Sequence, residues 1–185
     1  MNGRVSASLA ALLFLGGCAS SPPTSFYTLS DTAAEATAPG GAGHVVISGV
    51  TIPGEIDRPE IVRRVGPNQL NVSEVDRWAA PLDDTIRRVL TDDISRRMPG
   101  APAEPQRSVT VDIHDFYGDA SCNVTLRAVW KLKQAGAQAA TEEIHVPSSG
   151  SCPTTLAATM SLALGQLADR IIAGVARIPP AAASR

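Results

Sequence analysis

Aromatic side chains are scarce in this chain, at 4% of 185 residues, so platforms on which bases or sugar rings could stack are poorly supplied. A basic run is missing as well. The 16 Lys and Arg are scattered among 18 Asp and Glu, for a formal net charge of −2, and nucleic acid demands a concentrated positive face. No uninterrupted apolar run reaches the about 20 residues that span a bilayer. The catalytic patterns G-x-S-x-G, H-E-x-x-H and G-x-x-x-x-G-K-[ST] are all absent. Cysteine is rare too, with three in the whole chain, and each of them carries an argument.

Cys18 follows a short apolar run, Leu9 to Leu15, preceded by the single positive charge of Arg4. This is the layout of a secretory signal. Leu15-Gly16-Gly17-Cys18 further resembles the bacterial lipobox, in which small residues fit a peptidase pocket and the cysteine sulfur is acylated before cleavage. Cys18 is then the first residue of the mature protein and its lipidation site. Several acyl chains, at about 0.8 kcal/mol per buried CH₂, hold a protein on a membrane without crossing it. Ala19 stands where an aspartate would mark retention at the inner membrane, which points to the outer membrane.

Export makes a disulfide between Cys122 and Cys152 permissible. Val124, Leu126, Ala128, Trp130 and Leu132 alternate with Asn123, Thr125, Arg127 and Lys131, the pattern of a half-buried strand. A hairpin about Gly136 to a strand Glu142 to Val146 places residue 122 opposite residue 150, two positions from Cys152. Metal or catalytic use of the pair lacks a further ligand nearby in sequence.

Two helices are expected. Behind Pro81, the residues Leu82, Ile86, Val89, Leu90, Ile94 and Met98 fall on one side at helical spacing. On the other side, Asp83-Asp84 and Asp92-Asp93 each precede a pair of arginines by four residues, an acid-to-base ladder on a solvated face. A second helix from near Pro153 to about Val175 carries the stripe Leu156, Met160, Leu164, Leu167, Ile171 and Val175. Gln166, Asp169 and Arg170 interrupt it too much for a membrane span.

Strands are expected at His44 to Ile52, Ile61 to Val65, Gln69 to Val72, Ser108 to Phe116, Asn123 to Lys133 and Glu142 to Val146, with a short one at Phe26 to Leu29. Gly66-Pro67-Asn68 makes a turn. Asp31 to Gly43 and the tail from Pro179 lack periodicity and read as flexible. Asp112, His114, Asp115 and Asp119 crowd together, but Asp112 and His114 alternate with Val111 and Ile113, as on a solvated strand face.

The stretch Ile52-Pro53-Gly54-Glu55-Ile56-Asp57-Arg58-Pro59-Glu60-Ile61-Val62 is followed by Asn68-Gln69-Leu70 and by Arg77-Trp78-Ala79-Ala80-Pro81-Leu82. With Phe26-Tyr27-Thr28-Leu29, these residues resemble the PqiC-like ABC-type transport auxiliary lipoproteins over most of the mature chain. Departures are Gly54-Glu55-Ile56, where the family has a bulkier residue, and Ala80, where an acid is common. The resemblance implies a non-enzymatic outer-membrane lipoprotein without cofactor or metal, whose partner is an MCE-domain (PqiB-like) protein that bridges the periplasm and carries phospholipid. A homo-oligomer stays open, since a ring would suit a tube-shaped partner. Asp57, Arg58, Pro59 and Trp78 are the candidate partner-binding residues. Against that stands a purely structural role, with Asp57-Arg58-Pro59 a rigid turn holding a local ion pair and Trp78 a buried cap over the following helix.

The expected organisation is a signal peptide over 1–17, a lipidated tether over 18–25, the lipoprotein domain over 26–178 and a tail over 179–185. The fold is α+β: a mixed or antiparallel sheet with two helices packed on one face, in a single domain. Two functions of other classes stay open, a pilotin-like assembly lipoprotein and a periplasmic hydrolase using the Asp112, His114, Asp115 cluster.

Overall fold

Among the described residues, nine elements follow one another in the order expected: β1 (Ser25–Tyr27), β2 (Val45–Thr51), β3 (Glu60–Gly66), β4 (Gln69–Trp78), α1 (Leu82–Arg97), β5 (Arg107–Gly118), β6 (Val124–Leu132), β7 (Ala139–Val146) and α2 (Leu156–Ala176). The computed structural model describes residues 22–32, 45–98, 107–133, 139–152 and 154–178. The signal segment with Cys18, most of the Asp31 to Gly43 stretch, His44, the turn at Gly136, Pro153 and the tail lie outside the described residues.

The strands form one mixed seven-stranded sheet in the order β1-β4-β3-β5-β6-β7, with β2 beside β5. The consecutive pairs β3–β4, β5–β6 and β6–β7 are antiparallel. The parallel pairs are β1 with β4, β2 with β5 and, at a single position, β3 with β5. β5 organises the sheet. Its first half pairs with β2, Val45 opposite Arg107 and Thr51 opposite Asp112, while its last residue, Gly118, meets Arg63 of β3.

Period-two alternation is clearest in β6, where Val124, Leu126, Ala128, Trp130 and Leu132 are all buried. They meet Val109, Val111, Ile113 and Phe116 of β5 and the apolar stripes of both helices in one core. α2 is long and apolar enough to cross a membrane, yet Leu156, Met160, Leu164, Leu167, Ile171 and Val175 are buried within the protein. Gly174 lets it lie close to the sheet, because a Cβ there would stand 2.3 Å from the Trp130 ring. The buried Arg107 donates from Nη1 to the carbonyl of Val175 at 2.6 Å, in the last turn of α2, where the Ile178 N–H also reaches that oxygen at 3.1 Å.

Several details depart from the sequence reading. β7 starts three residues earlier than expected, and Val124 pairs with Val146, not with position 148. Ala139 and Ala140 have little strand propensity of their own, but the ladder with Lys131 and Trp130 recruits them. β4 continues to Trp78 because its segment Ser73 to Asp76 bulges out of the ladder between two pairings with β3. Ser73 Oγ closes that bulge by accepting from the Asp76 N–H at 2.9 Å and donating to Asp76 Oδ2 at 2.9 Å. The ladder on α1 keeps one expected pair, Arg97 with Asp93 at 3.2 Å, and rearranges the others. Arg87 pairs with Asp84 and Arg88 with Asp92, while Arg96 reaches Asp31 at 2.9 Å. Long arginine stems choose among several carboxylates within reach, so sequence spacing alone does not select the partner.

Candidate functional site

Pro53 to Pro59 turns tightly at the start of β3: Ile56 and Asp57 N–H both donate to the Pro53 carbonyl, and Ile56 is buried. Trp78 N–H then donates to the Pro59 carbonyl at 2.7 Å and Ala79 N–H to the Tyr27 carbonyl at 2.8 Å. These bonds join three segments that are far apart in sequence. Together they wall an open groove of about 380 Å³ lined by Asp57, Arg58, Pro59, Trp78, Pro81 and Leu82. The four candidate partner-binding residues therefore converge on one surface feature.

Within it, the roles divide. Trp78 is 6% exposed, so its ring is mostly core and only the groove wall above it is open. Arg58, with 44% of its side chain exposed, donates from Nε to Glu60 Oε2 at 3.0 Å. The local ion pair of this turn is made with Glu60, not Asp57; Glu60 lies beyond Pro59 on the rising strand and receives both Arg58 and, at 3.6 Å, Arg77. The hydrogen bond from Arg58 is the main reason that the Glu60 carboxyl titrates below its usual range.

A second feature ties the N-terminal segment to the helices. Leu29 is buried and its carbonyl accepts from Arg88 Nη2 at 3.2 Å. Ser30 N–H donates to Ser161 Oγ at 3.1 Å, and Thr32 N–H to Asp93 Oδ1 at 2.9 Å. Asp93 is fully buried and paired with Arg97 at 3.2 Å, which also reaches Asp169 of α2 at 3.2 Å. Gly165 makes room for the crossing: a Cβ there would stand 2.0 Å from Thr32 Oγ1. Sequence reasoning missed this strap, because its signals are single polar residues whose partners lie 61 and 131 positions away.

On the sheet face away from the helices, the Asp112 cluster does not assemble into a catalytic constellation. Asp112 and His114 are 3.5 Å apart with more than half of each side chain exposed. His114 is the extra residue of a bulge between Ile113 and Asp115, which redirects the strand. Asp115 consequently faces Arg64 at 3.1 Å and Arg127, which holds it through two nitrogens. The Arg64 guanidinium also sits 4.6 Å from the centre of the Tyr117 ring. Burial, then the nearby Glu55 carboxylate, push the Tyr117 hydroxyl up to about 12. Asp119 serves the turn after β5, accepting from Ser121 N–H, Asn123 N–H and Asn123 Nδ2 at 2.8 to 2.9 Å. Burial alone would raise its carboxyl; those bonds outweigh it and hold the group below its ordinary value. Among the described residues, no group of three or more His, Cys, Asp or Glu converges as a metal site.

Cys122 and Cys152 are joined by a disulfide with Cα atoms 5.4 Å apart. Cys122 is fully buried at φ 62°, in the turn that Asp119 organises. The bridge staples that turn to the segment leading into α2. Arg63 Nη1 lies 3.3 Å from the Cys152 sulfur, linking the staple to β3.

Residues 27–172 match the family of ABC-type transport auxiliary lipoprotein components. The intermembrane transport lipoprotein PqiC of Escherichia coli strain K12 is 25% identical over 135 residues, covering 68% of this chain and 72% of that protein. Its counterpart in Shigella flexneri aligns with the same figures. Among solved structures, protein XCC0632 from Xanthomonas campestris superposes with a TM-score of 0.67 at 20% identity, over 82% of this chain and 95% of its own. An uncharacterized protein superposes with a TM-score of 0.68 at 16% identity, over 83% and 99%. These two structures share the fold: the mixed sheet with both helices on one side. With the matched segment running from β1 into α2, the chain belongs to the ABC-type transport auxiliary lipoprotein components, membrane-associated parts of transport systems.

Proposed function

We propose that this protein is a non-enzymatic lipoprotein, acylated at Cys18 and held on the periplasmic face of the outer membrane, that docks a periplasm-spanning MCE-domain protein carrying phospholipid between the membranes. Family membership supports a transport role, and the PqiC relatives are named for intermembrane transport. The observation that carries the docking site is the groove itself, an open cleft lined by Asp57, Arg58 and Pro59 and backed by the mostly buried Trp78. Arginine is a favoured interface anchor. Arg58 stands at the rim, paired but half exposed, where a charge contributes more to association than to folding.

Affinity purification of the full-length lipoprotein from detergent-solubilised envelopes tests the reading. Recovery of an MCE-domain protein is expected. Recovery of a secretin instead would replace it with the pilotin-like function, and a hydrolytic activity abolished by His114→Ala would replace it with an enzyme.

A further inference from the structure

Phe26 is 67% exposed, well above Leu162 at 47%, Val65 at 41%, Val72 at 38% and Leu70 at 36%. It stands opposite Arg77 of β4, which in turn stands opposite Glu60 of β3, so the three form a row across one face of the sheet edge. Arg77 keeps 42% of its side chain exposed and meets Glu60 through Nη2 alone. Arg58 shares that same carboxylate, so one acid serves two guanidiniums. Asp76, the next acid on β4, is engaged by Ser73 and faces Tyr27. The row thus presents an aromatic ring beside a cation with donors to spare, the pairing that suits a bilayer interface.

The position of this row relative to the chain's start is what selects its partner. Seven residues lie between Cys18 and Phe26, so the eight steps from one to the other reach about 28 Å at full extension. Downstream, Ser30, Asp31 and Thr32 are fixed to Ser161, Arg96 and Asp93, so β1 has little freedom to swing away from the body. A lipid on Cys18 would confine this edge near the leaflet at high effective concentration.

We propose that Phe26 and Arg77 form a membrane-contacting ridge, the phenyl ring entering the interface of the leaflet that holds the anchor and the guanidinium meeting a phospholipid phosphate. The inference rests on acylation of Cys18. It fixes which side of the domain faces the bilayer.

The test uses the mature acylated protein in vesicles of phosphatidylethanolamine and phosphatidylglycerol with brominated acyl chains. Trp78 and Trp130, at 6% and 2% exposure, give a shielded background. Phe26→Trp should add emission quenched at least twofold more strongly than that background, and Arg77→Gln in the same chain should weaken the quenching and its dependence on phosphatidylglycerol. An unchanged melting curve for each variant shows that the fold is intact. Protein that floats with the vesicles but shows no added quenching overturns the ridge and leaves the anchor standing. Protein that does not float overturns the anchor, and the ridge with it. Unquenched, blue-shifted emission that grows with protein density means a second copy covers Phe26, which also overturns the proposal.

Discussion

β6 and β4 are strands of nearly equal length, nine and ten residues, but five residues of β6 are buried against one of β4. β6 is flanked on both sides by antiparallel partners and covered by helix on one face, so every second side chain enters the core. β4 is paired with β1 only at its last three residues, and its first half carries exposed Leu70 and Val72. The contrast separates a part of the molecule built for stability from a part left available. Strap, disulfide and helix cap all reinforce the first; groove, hairpin tip and Phe26 belong to the second.

The largest expected effect comes from breaking the stable part. Asp93→Ala leaves the Arg97 guanidinium without its buried partner and unhooks Thr32, and should cost about 3–5 kcal/mol in denaturant unfolding. The double change Cys122→Ser, Cys152→Ser frees a loop of 30 residues' separation, and should cost about 3–4 kcal/mol in the chain-entropy account. A loss as small as that of a surface substitution would show that the staple adds nothing to this half.

A pH experiment sharpens the same boundary. Both tyrosines, Tyr27 and Tyr117, have their hydroxyls raised above the ordinary value, chiefly by burial. A raised pKa favours the neutral form in the folded state, so the stabilisation is complete below the unfolded value of about 10. It should fall as pH rises from there towards about 12, the value for Tyr117. Absorbance at 295 nm should show one tyrosine, Tyr117, still un-ionised at pH values where the unfolded chain has ionised both, and ionisation of both together there would place Tyr117 outside the core.

In the available part, Leu70→Ser with Val72→Thr should change stability by no more than about 0.5 kcal/mol per site, as surface substitutions do. A cost several times larger in the melting curve would move the β3–β4 hairpin into the stable half.

The same contrast explains what the residues revealed unaided. β6 and both helices were legible because each buries one regular face, so the period of the apolar positions survives in the sequence. β4 past Val72 was not, since the bulge at Ser73 breaks the alternation and the strand has no single buried face. The parallel pairing of β2 with β5 has no local signal, because the partners stand about 60 residues apart. In the candidate site, Asp57-Arg58-Pro59 and Trp78 were visible as a pattern of residue types. Arg58's choice of Glu60 and the meeting of Asp115 with Arg64 and Arg127 depend on backbone geometry: the turn after Pro53 and the bulge at His114.

The central claim, docking at the groove of Asp57, Arg58, Pro59 and Trp78, is met most directly by Arg58→Glu in the full-length lipoprotein. Capture of the MCE-domain protein is measured beside the melting temperature. Reversal of a half-exposed rim charge should reduce recovery about tenfold or more, the equivalent of about 1.4 kcal/mol in binding, while the melting temperature changes little. Unchanged recovery at unchanged stability would contradict the account and leave this motif as part of the fold alone.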